Sequence, residues 1–442
     1  MHRLNEICSQ IFNIWTENGS RFELVANTFF DGRIDALGLI FSDSHSSPPS
    51  VPPVSPPEIP YYYCSSLPYS TFVSSHMSPN LPCMILGLTA SWPATLLFTD
   101  LSSSSSSDSP SPSLNIDALC HAFGDAVAPV HVTTIEEGMG GFGGVARPSS
   151  EEMTVGEYCA WLRLGPEGWV NDDGTKTLKY LKDWKYPSLF PSVPLYSLPS
   201  YFASDWLNNS PLSPSMYKFL YLGPSTSSTR IHTDVLQSFS WSSNVVGRKL
   251  WRILRPSDMH LLFDVFGNNL APHLHSDKER GGLGEALYPG LKVARERAVS
   301  VTQKTGETIF VPSGWPHEVQ NLENTLSINH NWINEFNVRN GWEKLRRELL
   351  AMEGEVGEGG DGDEDMGTVV GDLRNLRGML GGRLEAIRAE AEEEKPNELK
   401  VILEILQDLE SVKPLLIRCG GVDAAYLDSG LLVECREMIG CP

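Results

Sequence analysis

His232, Asp234 and His317 are the residues of this chain whose types and spacing best suit a metal centre. They lie in the segments RIHTD and PSGWPHEVQN, with His317 83 residues after Asp234. Two imidazoles and one carboxylate on one face of an ion leave the opposite face open. That donor set suits a non-haem Fe(II) centre, which must take up a cosubstrate and O₂ together. A bare His-x-Asp arises by chance in many chains, so it carries weight only with the elements around it. Residues i and i+2 of a strand project to the same face. A strand through His232 therefore presents Asp234 beside it, and a later strand brings His317 after the tight PSGW turn.

A second set of side chains is spaced to hold the cosubstrate. Lys249 follows His232 by seventeen residues, in GRKLW. Its ammonium can pair with the distal carboxylate of 2-oxoglutarate, while its neighbour Arg248 faces outward. Thr229 stands ready to donate a hydroxyl to the same carboxylate. Asn329, twelve residues after His317, can hydrogen-bond near the metal-bound end. Tyr221 and Ser242 are further candidates. Trp241, Trp315 and Trp332 read as core or pocket wall. His273 and His275 form a rival HLH chelate, but their polar, weakly periodic surroundings predict a solvated loop. Strand alternation turns His330 away from the face that carries Asn329.

These residues need a rigid β framework. YKFLYLGP, IHTDVLQSFSWSSNVVG and RKLWRILRP are β-branched and aromatic runs broken by Gly or Pro. VTQKTGETIFVPSGWPHEVQNLENTLSINHNW adds short strands with turns at TG, PSGW and NLEN. Repeated short strands of this kind predict an antiparallel barrel or jelly roll over 201–337. Residues 79–200 read as mixed α/β, with a helix over 153–164 capped by Thr154 and YLKDW leading into a Pro-rich connection. Residues 338–442 read as helical, beginning with the amphipathic GWEKLRRELLAM, and interrupted by an acidic Gly-rich loop over 353–366. Those helices either pack on the barrel or form a dimer interface. Residues 1–78 hold a short helix (4–15) and a Ser/Pro-rich stretch (42–60) that predicts a disordered linker. The polyserine run at 102–113 reads as a surface insertion.

Composition narrows the classes. The chain has 442 residues, 41% hydrophobic and 20% charged, enough to bury a large core. With 34 basic against 55 acidic residues, the net charge of −21 argues against a nucleic-acid partner and favours a basic one. Eight cysteines without a CxxC pair fit a reducing compartment rather than a zinc finger or disulfide scaffold. No apolar run reaches the roughly 18 residues needed to span a bilayer, so no membrane association is expected. The N-terminus lacks the pattern of a signal peptide. A cytoplasmic or nuclear location is the expectation.

The segments YLKDW, YFASDWLN, YLGPSTSSTRIHTDV, SFSWSSNVVGRKLW and ETIFVPSGWPHEVQNLENTLSINHNWIN together resemble the Jumonji-C 2-oxoglutarate oxygenases, over about residues 79–350. The hydroxylase branch is closer than the chromatin branch. The resemblance implies a double-stranded β-helix. It implies Fe(II) held by His232, Asp234 and His317, with 2-oxoglutarate on Lys249. It further implies hydroxylation of a protein lysine, in the branch that acts on the translation termination factor. One position departs from other hydroxylase branches: Ser242 stands ten residues after the first His, where some carry Asn, and Asn244 follows on the same strand face. Histone lysine demethylation by the same iron chemistry, and a non-catalytic barrel serving as a binding module, are the alternatives. No PHD-like Cys/His cluster or basic patch favours the first, and an intact triad with Lys249 speaks against the second.

Overall fold

The computed structural model describes residues 58–100, 112–135, 149–212, 214–274, 286–355, 363–390, 395–418 and 430–439. The expected helix at 4–15, nearly all of the Ser/Pro-rich stretch, most of the polyserine run, His275, the GGLG turn and the middle of the acidic loop lie outside them. Two short strands open the described chain, β1 (Tyr61–Tyr63) and β2 (Cys83–Leu86). A minor pair, β3 (Thr99–Asp100) and β4 (Ser113–Leu114), follows. Next come β5 (Val127–Ile135), β6 (Ser149–Thr154) and β7 (Lys176–Trp184). Eight strands then build the barrel: β8 (Lys218–Gly223), β9 (Ser228–His232), β10 (Phe239–Val246), β11 (Lys249–Ile253), β12 (Val299–Gln303), β13 (Glu307–Val311), β14 (His317–Asn321) and β15 (Thr325–Trp332).

These eight divide between two antiparallel sheets in a jelly-roll order. One contains β13-β10-β15-β8 and the other β12-β11-β14-β9. The larger sheet continues on one side through β7, β5 and β6, and on the other through β2 and β1. Trp251, Ile253, Val301 and Val319 from the smaller sheet pack against Met84, Ile309 and Val311 from the larger. Trp251 and Val319 also border the cavity, whose other inward positions are mostly polar.

Strand β10 shows why. Every residue of FSWSSNVV is buried, yet the two faces differ. Phe239 and Trp241 project outward into a cluster with Phe72, Trp92, Phe202, Phe310 and Trp332. Ser240 and Ser242 project inward and line the cavity. A strand buried on both faces with alternate serines is one whose inner face serves something other than packing.

The N-terminal part caps the outer face of the larger sheet. Its helix Val155–Arg163 starts as expected at Thr154, in a capping box with Glu157. The C-terminal helices Val338–Glu355, Asp363–Ala389, Pro396–Arg418 and Gly430–Ile439 share one core. Trp342, Leu345, Leu380, Ile402 and Ile405 meet Trp206, Leu207, Leu236 and Ile333 of the barrel. Of the two expectations for these helices, packing on the barrel is therefore observed. Among the described residues no helix is long and apolar enough to cross a membrane.

Candidate metal and cosubstrate site

His232 ends β9 and His317 begins β14, and the two residues are direct cross-strand partners. Their ring centroids stand 4.2 Å apart. Asp234 does not lie on the strand, as the sequence spacing implied. It occupies the residue before a short 3₁₀ turn, Val235–Gln237. Its extended backbone still keeps the carboxylate on the imidazole side. One donor atom from each of the three residues falls within 4.8 Å of the others.

The donors are oriented from behind. His232 Nδ1 lies 2.8 Å from the Arg230 carbonyl and His317 Nδ1 lies 3.0 Å from the Trp315 carbonyl. A carbonyl only accepts, so each Nδ1 carries its proton and each Nε2 keeps a free lone pair. Ser240 Oγ donates to Asp234 Oδ2 at 2.6 Å, fixing that carboxylate as well. Burial, and next the neighbouring His317, push the His232 pKa down to about 4. The ring is thus neutral near pH 7, the form that ligates. Donor types, spacing and tautomers all fit a divalent ion bound on one face.

The triad opens into a cavity of about 210 Å³. Lys249 begins β11 inside it, with only 1% of its surface exposed. Its Nζ donates to Ser327 Oγ at 2.6 Å and lies 5.9 Å from the Tyr221 ring centroid. Burial, with a smaller contribution from the Lys182 charge, pushes its pKa down to about 7. A buried ammonium held by a hydroxyl rather than a carboxylate is a seat for an anionic ligand. Arg248 faces outward and pairs with Glu323 at 2.6 Å, so Lys249 alone of the two enters the cavity.

The other expected residues line the same space. Thr229, Tyr221, Ser242 and Asn329 all contribute to its wall. Ser242 Oγ donates to Asn329 Oδ1 at 3.0 Å, and Tyr221 donates its hydroxyl to Asp183 Oδ1 at 2.6 Å. Strict alternation would have turned Thr229 away from His232. Two residues of β14, His317 and Val319, face His232 and Thr229 three positions apart, and this bulge returns both to one face. Asn244 does not join the site. It is fully buried, and its amide donates to the Gly247 carbonyl at 2.6 Å, so it fixes the β10–β11 turn. Trp241 and Trp332 belong to the outer core, and Trp315 packs within the sandwich. His330 is buried in the outer core against Trp241, at 4.3 Å between ring centroids. His273 is not solvated as expected. It pairs with the buried Glu318 at 3.2 Å, on the strand that carries His317.

Sequence reasoning missed several lining residues. Ser240 was accessible by alternation from Ser242. Trp251, whose ring lies 5.7 Å from that of His317, was accessible by alternation from Lys249. Tyr180, Lys182 and Asp183 of β7 were not, because nothing local shows that β7 lies beside β8.

The segment 68–338 matches the model of the cupin-like domain family, more than half of the chain. The chain is 36% identical over 302 residues to the Homo sapiens protein named 2-oxoglutarate and iron-dependent oxygenase JMJD4, covering 67% of this chain and 66% of that one. The Danio rerio protein of that name is 33% identical over 319 residues, 69% of each chain. An Arabidopsis thaliana relative named arginine-specific demethylase JMJ20 is 31% identical over 336 residues, 72% of this chain and 66% of its own. The chain belongs to the cupin-like, iron- and 2-oxoglutarate-dependent oxygenases. It spans about two thirds of the length of these relatives. The three-donor face and the Lys249 cavity have the donor types and burial that iron and 2-oxoglutarate call for.

Proposed function

We propose that this oxygenase hydroxylates a lysine side chain of the translation termination factor, using Fe(II), 2-oxoglutarate and O₂. The observation that carries the reading is a three-donor metal face sharing one cavity with a buried Lys249 whose ammonium donates to the Ser327 hydroxyl. Bound iron supplies the O₂ chemistry, with 2-oxoglutarate decarboxylated to succinate as one oxygen atom passes to the substrate. The protein binds, orients and excludes water. His232, Asp234 and His317 hold the ion, and Ser240 fixes the carboxylate. Lys249 with Ser327 anchors the distal carboxylate of the cosubstrate, and Thr229, Tyr221, Ser242 and Asn329 complete its wall. The choice of lysine and of the termination factor rests on the resemblance of SFSWSSN and SINHNW to the hydroxylase branch, and on the acidic character of the chain. Such a substrate places the enzyme in the cytoplasm.

The decisive measurement is mass spectrometry of the purified termination factor after incubation with the enzyme, Fe(II), 2-oxoglutarate and O₂. A gain of one oxygen on one lysine, absent with His232→Ala, is the expected result. The relative named as an arginine-specific demethylase favours a second reading, in which the same iron chemistry acts on an N-methyl group. Loss of a methylene's mass from methylated histone peptides, with no oxygen added to the termination factor, would establish that reading instead.

A further inference from the structure

Asp183 sits in the left-handed region at φ 60°, where a β strand does not ordinarily go. The pairing of β7 with β8 slips between Leu181 and Trp184. This bulge turns Asp183 toward the cavity, which it lines alongside Lys182. Non-glycine residues in this region are strained and persist where surrounding structure imposes them. Here the imposed result is a carboxylate facing the metal cavity.

Among the described residues that line this cavity, the carboxylates are Asp234 and Asp183. Asp234 belongs to the metal triad. Asp183 Oδ1 accepts the Tyr221 hydroxyl at 2.6 Å. Oδ2 is held more loosely, 3.5 Å from His131 Nε2 and 4.0 Å from Lys182 Nζ. The Asp183 side chain is 42% exposed and stands nearer solvent than Lys249. Lys249 is 1% exposed and marks the closed side. The cavity thus holds a buried cation at its base and, nearer solvent, the Asp183 carboxylate beside Lys182.

Resting on the lysyl hydroxylase reading, we propose that Asp183 is the residue that receives the ammonium of the substrate lysine and so sets specificity for a cationic side chain. With 2-oxoglutarate paired to Lys249, the Asp183 carboxylate is, among the described lining residues outside the triad, the one that can receive an entering ammonium. Binding there fixes the ammonium in the same cavity as the triad. Burial raises the Asp183 pKa, but the His131 contact and then the Lys182 charge outweigh it, so the carboxyl stays ionised. Tyr221 is the positioning residue that keeps Asp183 pointing inward.

The test uses the full chain loaded with Mn(II), which is redox-silent here, and 2-oxoglutarate. Nα-acetyl-lysine methylamide and its uncharged counterpart, Nα-acetyl-norleucine methylamide, are titrated while the relaxation of their protons by Mn(II) is read. Wild type should bind the lysine probe roughly ten- to hundredfold more tightly, the range expected for one charge-assisted contact. Asp183→Asn should lose that preference, and Asp183→Glu should restore part of it. Retention of 2-oxoglutarate binding certifies that each variant is folded. If Asp183→Asn fails that check, the Asp183→Glu and Asp183→Ser pair decides on the same criterion of charge. Preference in wild type that survives loss of the carboxylate overturns the Asp183 assignment alone. No preference in wild type overturns the lysine reading, and the assignment with it.

Discussion

A buried ammonium favours an anion, and Lys249 supplies one at the base of the cavity. Removing it with Lys249→Ala deletes a charge-assisted bond worth about 1.5–3 kcal/mol, so 2-oxoglutarate affinity should fall roughly 10- to 150-fold. Unchanged affinity in calorimetry would move the anchor elsewhere. The pKa of about 7 adds a pH dependence whose sign is fixed. Without ligand, burial disfavours the ammonium, so Lys249 deprotonates as pH rises through that value. A bound dicarboxylate favours the ammonium, so binding takes up a proton above it. Affinity should therefore be greatest below about pH 7 and weaken above it, by at most about tenfold per pH unit. Proton uptake, read from buffers of different ionisation enthalpy, should grow from near zero on the acidic side toward one on the basic side. At the metal, His232→Ala should abolish 2-oxoglutarate turnover and iron retention while the circular dichroism stays native. Ser240→Ala leaves all three donors but frees Asp234 to rotate. It should weaken metal affinity about 10- to 100-fold, and an unaltered affinity would remove Ser240 from the site.

At the scale of elements, turns and bulges place what strand periodicity cannot. The β10–β11 turn holds Gly247 at φ 88°, where an added Cβ would stand 2.4 Å from the Asn324 carbonyl oxygen. Only glycine meets both demands. Gly247→Ala should destabilise the fold by about 2–4 kcal/mol, combining overpacking with backbone strain, and should shift Lys249 two residues on. Urea unfolding reads the first effect and 2-oxoglutarate binding the second. A midpoint equal to wild type would show that the turn relaxes freely. The 3₁₀ turn after Asp234 is likewise set by its surroundings. Leu236 and Gln237 both have positive φ, at 52° and 50°, and Leu236 is buried against the helix Val338–Glu355.

On the scale of the whole molecule, the C-terminal helices pack behind the turn that carries Asp234 of the candidate metal site. Their core includes Leu236, two residues from Asp234, and Trp342, which is fully buried with Nε1 donating to Asp408 at 3.2 Å. Trp342→Ala should cost about 3–5 kcal/mol. Because that loss loosens the packing on Leu236, iron affinity should fall too, although Trp342 touches no ligand. Thermal unfolding and metal titration on the same preparation test the linkage. Loss of stability with unaltered iron affinity would confine the helices to a stabilising role.

The residues themselves carried the triad, Lys249 and the jelly-roll pattern. His-x-Asp spacing, the PSGW turn before His317 and the alternation of SFSWSSN are local, and local geometry follows from local sequence. The capped helix at Thr154 was legible for the same reason. The sequence could not place Asp183, Lys182 and Tyr180 at the cavity, because β7 reaches β8 only through the assembled sheet. Nor could it show that a bulge in β9 returns Thr229 to the face of His232. His273 read as solvated because its partner, Glu318, lies 45 residues away. The choice for the C-terminal helices between packing on the barrel and forming a dimer interface stayed open for a related reason. An amphipathic face specifies that it will be buried, and only the tertiary structure decides against what.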